Sequence, residues 1–96
     1  MNIQYIAIPP MKILFIINQH SGVKSNEATI AQIQETAALK NVSIDILYTT
    51  GEKDDEMIRE EIDLYKPDRV VAGGGDGTIQ LVARNLMGTD IPIVLL

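Results

Sequence analysis

Residues Gly73-Gly74-Gly75-Asp76-Gly77-Thr78 place four glycines, one carboxylate and one hydroxyl in six consecutive positions. Glycine lets the chain turn where other residues are strained, and it lets backbone N–H groups approach a ligand with no side chain between. Phosphate suits such a loop, because several main-chain donors can share its charge. Gly73, Gly74, Gly75 and Gly77 are therefore the candidate phosphate cradle. Asp76 poses a sharper question, since a carboxylate beside a polyphosphate repels it. It must meet a cation, hydrogen-bond a hydroxyl, or cap the helix that follows. Thr78 is equally suited to a phosphate contact or a cap. The run is not a Walker A loop, because no Lys-Ser/Thr follows its last glycine. It is not the dinucleotide fingerprint either, because Thr78 stands where the third glycine would be.

A cradle of this kind works only if a strand delivers it and a helix leaves it. Val70-Val71-Ala72 reads as the end of a buried strand, and Ile79, Val82, Ala83 and Leu86 recur at spacings of three, four and seven, one face of a helix. The whole chain repeats this alternation. Strands are expected over 12–18, 42–48, 69–72 and 91–96, the first a near-continuous apolar run as in strands covered on both faces. A first helix, capped by Ser25 or Asn26, buries Ile30, Ile33, Ala37 and Ala38 and ends at Lys40-Asn41. A second, capped by Asp54 or Asp55, buries Ile58, Ile62 and Tyr65 and stops at Lys66-Pro67. The third runs over 77–87 with Gly88 at its C′ position. Strands alternating with helices predict a three-layer α/β fold, a parallel sheet with flanking helices. Such sheets bind ligands beyond the C-terminal ends of their strands. The loops 18–24, 49–53 and 73–78 all follow strand ends, so three polar loops converge on one edge.

Composition narrows the function classes. Ninety-six residues, 46% of them apolar, make one small domain. Residues 1–10 read as an extension ahead of a domain over 11–96, because Pro9-Pro10 would break any element continuing from it and Met11 is a natural start. A net charge of −5 with no basic cluster argues against nucleic acid and against electrostatic attachment to anionic lipid through this segment. The absence of cysteine rules out disulfides and thiolate metal sites and is compatible with a cytoplasmic setting. The longest apolar run, Ile13–Ile17, is too short to cross a bilayer, and Gln19-His20 interrupts it where a signal-peptide cleavage site would fall. The acidic run 52–56 reads as a solvated helix start, and His20 and Lys24 read as solvated loop residues.

The glycine loop resembles the nucleotide-binding loop of the diacylglycerol kinase catalytic domain family, whose wider superfamily includes NAD kinases and phosphofructokinases. Ile13–Asn18 followed by Ser21-Gly22, Thr49-Thr50 after the second strand, and Pro67–Val71 before the glycines resemble the family at corresponding places. Gln19 stands where the family usually has proline, and Ile79-Gln80-Leu81 where its lipid kinases often have Leu-Asn-Glu. The resemblance covers about residues 12–96. It implies a kinase that moves the γ-phosphoryl group of ATP to a lipid hydroxyl such as that of diacylglycerol. Asn18, Ser21, Gly22, Thr50, the four glycines and Thr78 would bind nucleotide; Asp76 would hold Mg²⁺ or act as base. Family members continue into a β-rich domain carrying much of the acceptor pocket. This chain is therefore expected to be the ATP-binding portion, inactive alone, self-associating through its last strand, and cytoplasmic or peripheral at the inner membrane face through other regions. An NAD kinase-like acceptor and a non-catalytic nucleotide-binding module are the alternatives.

Overall fold

The computed structural model describes residues 9–18 and 23–95, without the side chains of residues 23–26. Strands and helices alternate as β1 (Met11–Asn18), α1 (Val23–Leu39), β2 (Val42–Thr49), α2 (Asp54–Tyr65), β3 (Arg69–Gly73), α3 (Asp76–Leu86) and β4 (Ile93–Leu95). The four strands form one parallel sheet in the order β2-β1-β3-β4. The chain thus leaves β1 toward β2, then crosses back over β1 to build β3 and β4 on its other side. That reversal is what opens a crevice between β1 and β3 in sheets of this type.

Alternation along each strand divides the core into two layers. Leu14 and Ile16 of β1 and Val70 and Ala72 of β3 pack with Ile58 of α2 and Leu81, Val82 and Leu86 of α3. Phe15, Ile17 and Val71 point the other way and meet Ile30 and Ile33 of α1, with Ile44 and Ile46 of β2. Leu14, Ile16, Ile58, Val70 and Val82 are the largest fully buried side chains. Burial at about 1.5–3 kcal/mol each makes this group the main source of stability in so small a domain. A pair of hydrogen bonds starts β3 in register: the Lys12 amide donates to Asp68 Oδ2 at 2.8 Å, and the Asp68 amide donates to the Lys12 carbonyl at 2.7 Å. Helices α2 and α3 are tied by Asp55, which accepts from Arg84 Nε and Nη2 and from Asn85 Nδ2, each at 2.8 Å. Arg84 holds the Asp55 carboxyl well below the usual carboxylate range.

The α/β class and the element order agree with the sequence, and several local expectations need correction. Helix α1 begins at Val23, so Ser25 and Asn26 lie within it and not at its N-cap position. Ala38 is exposed, and only Ala37 of that pair is buried. The N-cap of α2 is Lys53, in the left-handed region at φ 56°, not Asp54 or Asp55. On α3, Ala83 is exposed while Thr78, Leu81 and Asn85 are buried. The buried stripe is rotated because Asn85 turns inward, donating to the Leu81 carbonyl and accepting from Arg59. Strand β4 pairs over only three residues, Ile93–Leu95.

Strand β2 lies at the edge of the described sheet, and its α2-facing side carries the polar residues Ser43 and Asp45 beside Leu47. Ser43 Oγ lies 2.6 Å from the Tyr65 hydroxyl. Asp45 meets Glu61 of α2; inward-facing charge of this kind discourages an edge strand from pairing with another chain. The hydrogen bond with Asp45, then burial, then the like charge of Asp45 push Glu61 from 4.5 up to about 7. The folded chain therefore keeps a proton that the unfolded chain releases, and this stabilisation is full below pH 4.5 and lost as pH rises to about 7. In thermal unfolding from about pH 5 to about pH 7.5, the wild type is expected to lose stability relative to Glu61→Gln as pH rises. Parallel pH curves for the two proteins would exclude the shared proton.

Candidate functional site

The crevice at the C-terminal ends of the strands is assembled by register. Asn18, the last residue of β1, pairs opposite Thr49, the last of β2, and Ile17 pairs opposite Gly73, the last of β3. Even-numbered residues of β1 and odd-numbered residues of β2 face α2 and α3, as Leu14, Ile16 and Leu47 show by packing there. Asn18 and Thr49 continue those two rows past the apolar core. Beyond them lies a cleft of about 260 Å³ lined by Asn18, Thr49, Gly51, Asp54, Gly77, Thr78 and Leu81.

The glycines in the loop do two different jobs. Gly74 has φ +147°, and a Cβ there would lie 2.8 Å from Thr78 Oγ1 and 3.1 Å from Asn18 Cβ. It is glycine because β3 must turn into α3 while pressed between those two side chains. A Cβ on Gly75 or Gly77 would meet nothing within 4 Å. These two glycines border open space at the start of α3, where the first amides have no intrahelical acceptor and the helix end is partially positive. Gly75 is the N-cap, in extended conformation, and its carbonyl accepts from the amides of Thr78 and Ile79. Fold alone explains Gly74; it does not require glycine at Gly77.

Asp76 is the first residue of α3 and is exposed. No side-chain hydrogen bond caps α3, so Asp76 does not serve as its cap. Among the described residues its carboxylate takes no hydrogen bond or ion pair. Thr78 is buried, its hydroxyl beside Gly74. Thr50 is exposed at the cleft's rim, and its hydroxyl is occupied within its own loop, 3.0 Å from the Glu52 carbonyl and 3.3 Å from Asp54 Oδ1. Ser21 and Gly22 lie outside the described residues. The structure thus brings Asn18, Gly77 and Thr78 together in one cleft, with Gly73, Gly74, Gly75 and Asp76 along the adjoining turn. It also lines the cleft with Thr49, which the sequence placed in the converging loop 49–53 while assigning the contact to Thr50, and with Asp54, expected as a helix cap. The period-two alternation of β2 would have found Thr49, since it keeps the facing of Ser43, Asp45 and Leu47. Nothing in the sequence signalled that Asp54 turns back toward the loop.

A larger cavity, about 390 Å³, lies beneath α1 against β1 and β2, lined mainly by Ile13, Phe15, Ile33, Ala37, Val42 and Ile44. It contains none of the predicted site residues. Size alone does not make it the better site, because chemistry requires convergent polar groups as well as volume. No group of three or more His, Cys, Asp or Glu side chains among the described residues forms a metal cage. A cation at Asp76 would therefore have to arrive with a ligand that supplies most of its oxygens, which polyphosphate does.

Sheet order and the alternation of elements define an α/β domain with a cleft at the C-terminal ends of its strands. The family model for the diacylglycerol kinase catalytic domain matches residues 12–96, and the chain belongs to that family. No curated protein sequence matches the chain closely enough to add a named relative. No described helix is long and apolar enough to cross a membrane.

The division of labour among the glycines is directly testable. Gly74→Ala should lower stability by about 1–3 kcal/mol or more in urea denaturation, from backbone strain and overpacking. Gly77→Ala should leave stability unchanged or raise it by up to about 1 kcal/mol, since alanine is the better helix former. Equal losses in both variants would mean that Gly77 too is a packing glycine.

Proposed function

We propose that this chain is the ATP-binding portion of a lipid kinase, which transfers the γ-phosphoryl group of ATP to a lipid hydroxyl such as that of diacylglycerol. The observation that carries the reading is the free space over Gly75 and Gly77 at the start of α3, in a chain whose family is that of diacylglycerol kinase catalytic domains. Main-chain amides of this turn would take the phosphate oxygens. Asn18 and Thr78 would border the nucleotide, and Ser21, Gly22 and Thr50 would complete its surroundings. Mg²⁺ bound with ATP would neutralise charge between the phosphates and the protein, and Asp76 would be the side chain to hold it. In transfer, the lipid oxygen would attack the γ-phosphorus, the bond to the β-phosphate oxygen would break, and the hydroxyl proton would pass to a carboxylate; Asp76 would be that base in place of holding Mg²⁺, not together with it. Lipid contact would not come from electrostatic attraction by this segment, whose net charge is −5.

A second reading is nucleotide binding without turnover by this chain. It is favoured by the presence of only one uncommitted carboxylate, Asp76, at the turn, since Asp54 is fully hydrogen-bonded. Both readings require MgATP to bind, and they differ in whether acceptor is consumed.

Isothermal titration of the purified chain with MgATP should show saturable binding. Gly77→Ala should weaken it by roughly tenfold while the fold persists, because a methyl group would occupy the space given to phosphate. In the full protein, Asp76→Ala should reduce phosphatidic acid formation from labelled ATP and diacylglycerol by roughly a hundredfold or more. No heat with MgATP from the folded chain would remove both readings. Transfer that survives Asp76→Ala within a few-fold would remove the role assigned to Asp76.

A further inference from the structure

One wall of the cleft is the link between β2 and α2, and a single side chain shapes it. Residues Thr50–Lys53 must reverse the chain in four positions. Two of them lie at positive φ, Gly51 at 90° and Lys53 at 56°. Lysine gains nothing from that conformation, and strain of this kind persists only where surrounding contacts impose it. The contacts here converge on Asp54. Its Oδ1 accepts the Thr50 amide at 2.9 Å, and its Oδ2 accepts the Gly51 amide at 2.8 Å. The Thr50 hydroxyl lies between Asp54 Oδ1 and the Glu52 carbonyl and accepts the Glu52 amide at 3.2 Å.

This is not how an acidic residue ordinarily serves a helix start. A capping carboxylate bonds the amides of its own helix. Asp54 is the first residue of α2 and turns backward, out of the helix, while the N-cap position itself carries no side-chain cap. The carboxylate therefore contributes to the shape of the loop and not to the end of the helix. That shape reaches the cleft directly, because Gly51 and Asp54 line it together with Asn18, Thr49, Gly77 and Thr78. Charge-assisted bonds to a carboxylate are strong and directional, so two of them from adjacent amides leave this turn little freedom.

We propose that Asp54 is a positioning residue for nucleotide binding: its carboxylate holds the Thr50–Lys53 turn as a fixed wall of the cleft across which the glycine loop binds phosphate. The inference rests on the nucleotide reading above. It also makes a choice between two opposite effects of one carboxylate. If Asp54 acted on ATP mainly by charge, removing the charge would tighten binding. If it acts by holding the turn, removing it loosens binding, and an amide in its place, which can accept only one of the two N–H groups, does so by less.

The test combines MgATP titration with amide hydrogen exchange on wild type, Asp54→Ala and Asp54→Asn. In Asp54→Ala the Thr50 and Gly51 amides should lose protection while β1 and β3 keep theirs, and MgATP affinity should fall by roughly tenfold. Asp54→Asn should lie between wild type and the alanine variant in both measurements, which also covers the case in which the alanine variant does not fold. Tighter binding by Asp54→Asn, or affinity within twofold of wild type despite exchange-labile loop amides, overturns the inference alone. Wild-type protein that is folded and binds no MgATP overturns the nucleotide reading and this inference with it.

Discussion

The site depends on one tight approach. At Gly74 the chain passes between Asn18 and Thr78 with no room for a β-carbon. That contact joins the end of β1 to the first turn of α3 through the backbone of the intervening residue. It holds α3 directly over the end of the β1–β3 pair, and the direction of α3 in turn decides where its unpaired amides point. A larger residue at Gly74 would have to displace Thr78, and the helix start would move with it. Gly75 and Gly77 inherit their positions from this contact and border open space.

The rest of the fold keeps that approach in register. Fully buried Leu14, Ile16, Val70, Val82 and Ile58 bind β1, β3, α3 and α2 into one layer. The reciprocal bonds between Lys12 and Asp68 set where β3 starts beside β1, and hence where it ends. Asp55, Arg84, Asn85 and Arg59 join α2 to α3 on the outer side of the same layer. Such a surface network contributes less to stability than the apolar layer beneath it, but it fixes how the two helices that flank the cleft sit together. The site is therefore built on one face of the sheet only. Helix α1, on the other face, covers β1 and β2 and supplies no described residue to the cleft.

The acidic residues divide by what they touch. Asp55 is ion-paired, Asp54 is taken up by loop amides, and Glu61 meets Asp45 at the sheet edge, where the hydrogen bond between them raises the Glu61 pKa. Asp76 alone among these has no partner among the described residues, and it stands where the helix start is most positive.

By itself, the sequence determined much of what depends on local spacing, though not the helix N-caps. The alternation of strands and helices, the stop at Lys66-Pro67, the C′ glycine at Gly88 and the glycine run at Gly73–Thr78 are properties of neighbouring residues, and each is found where it was expected. Tertiary structure decided what depends on distant pairing. The strand order β2-β1-β3-β4 chose which loops meet, and the register of β1 with β2 put Thr49, not Thr50, inside the cleft. Packing rotated α3 so that Asn85 is buried and Ala83 is not. It also turned Asp54 from a presumed helix cap into the anchor of a loop. Spacing fixes which residues share an element, but only the folded chain fixes which elements share a surface. A bond made across a turn at positive φ leaves no periodic mark in the sequence.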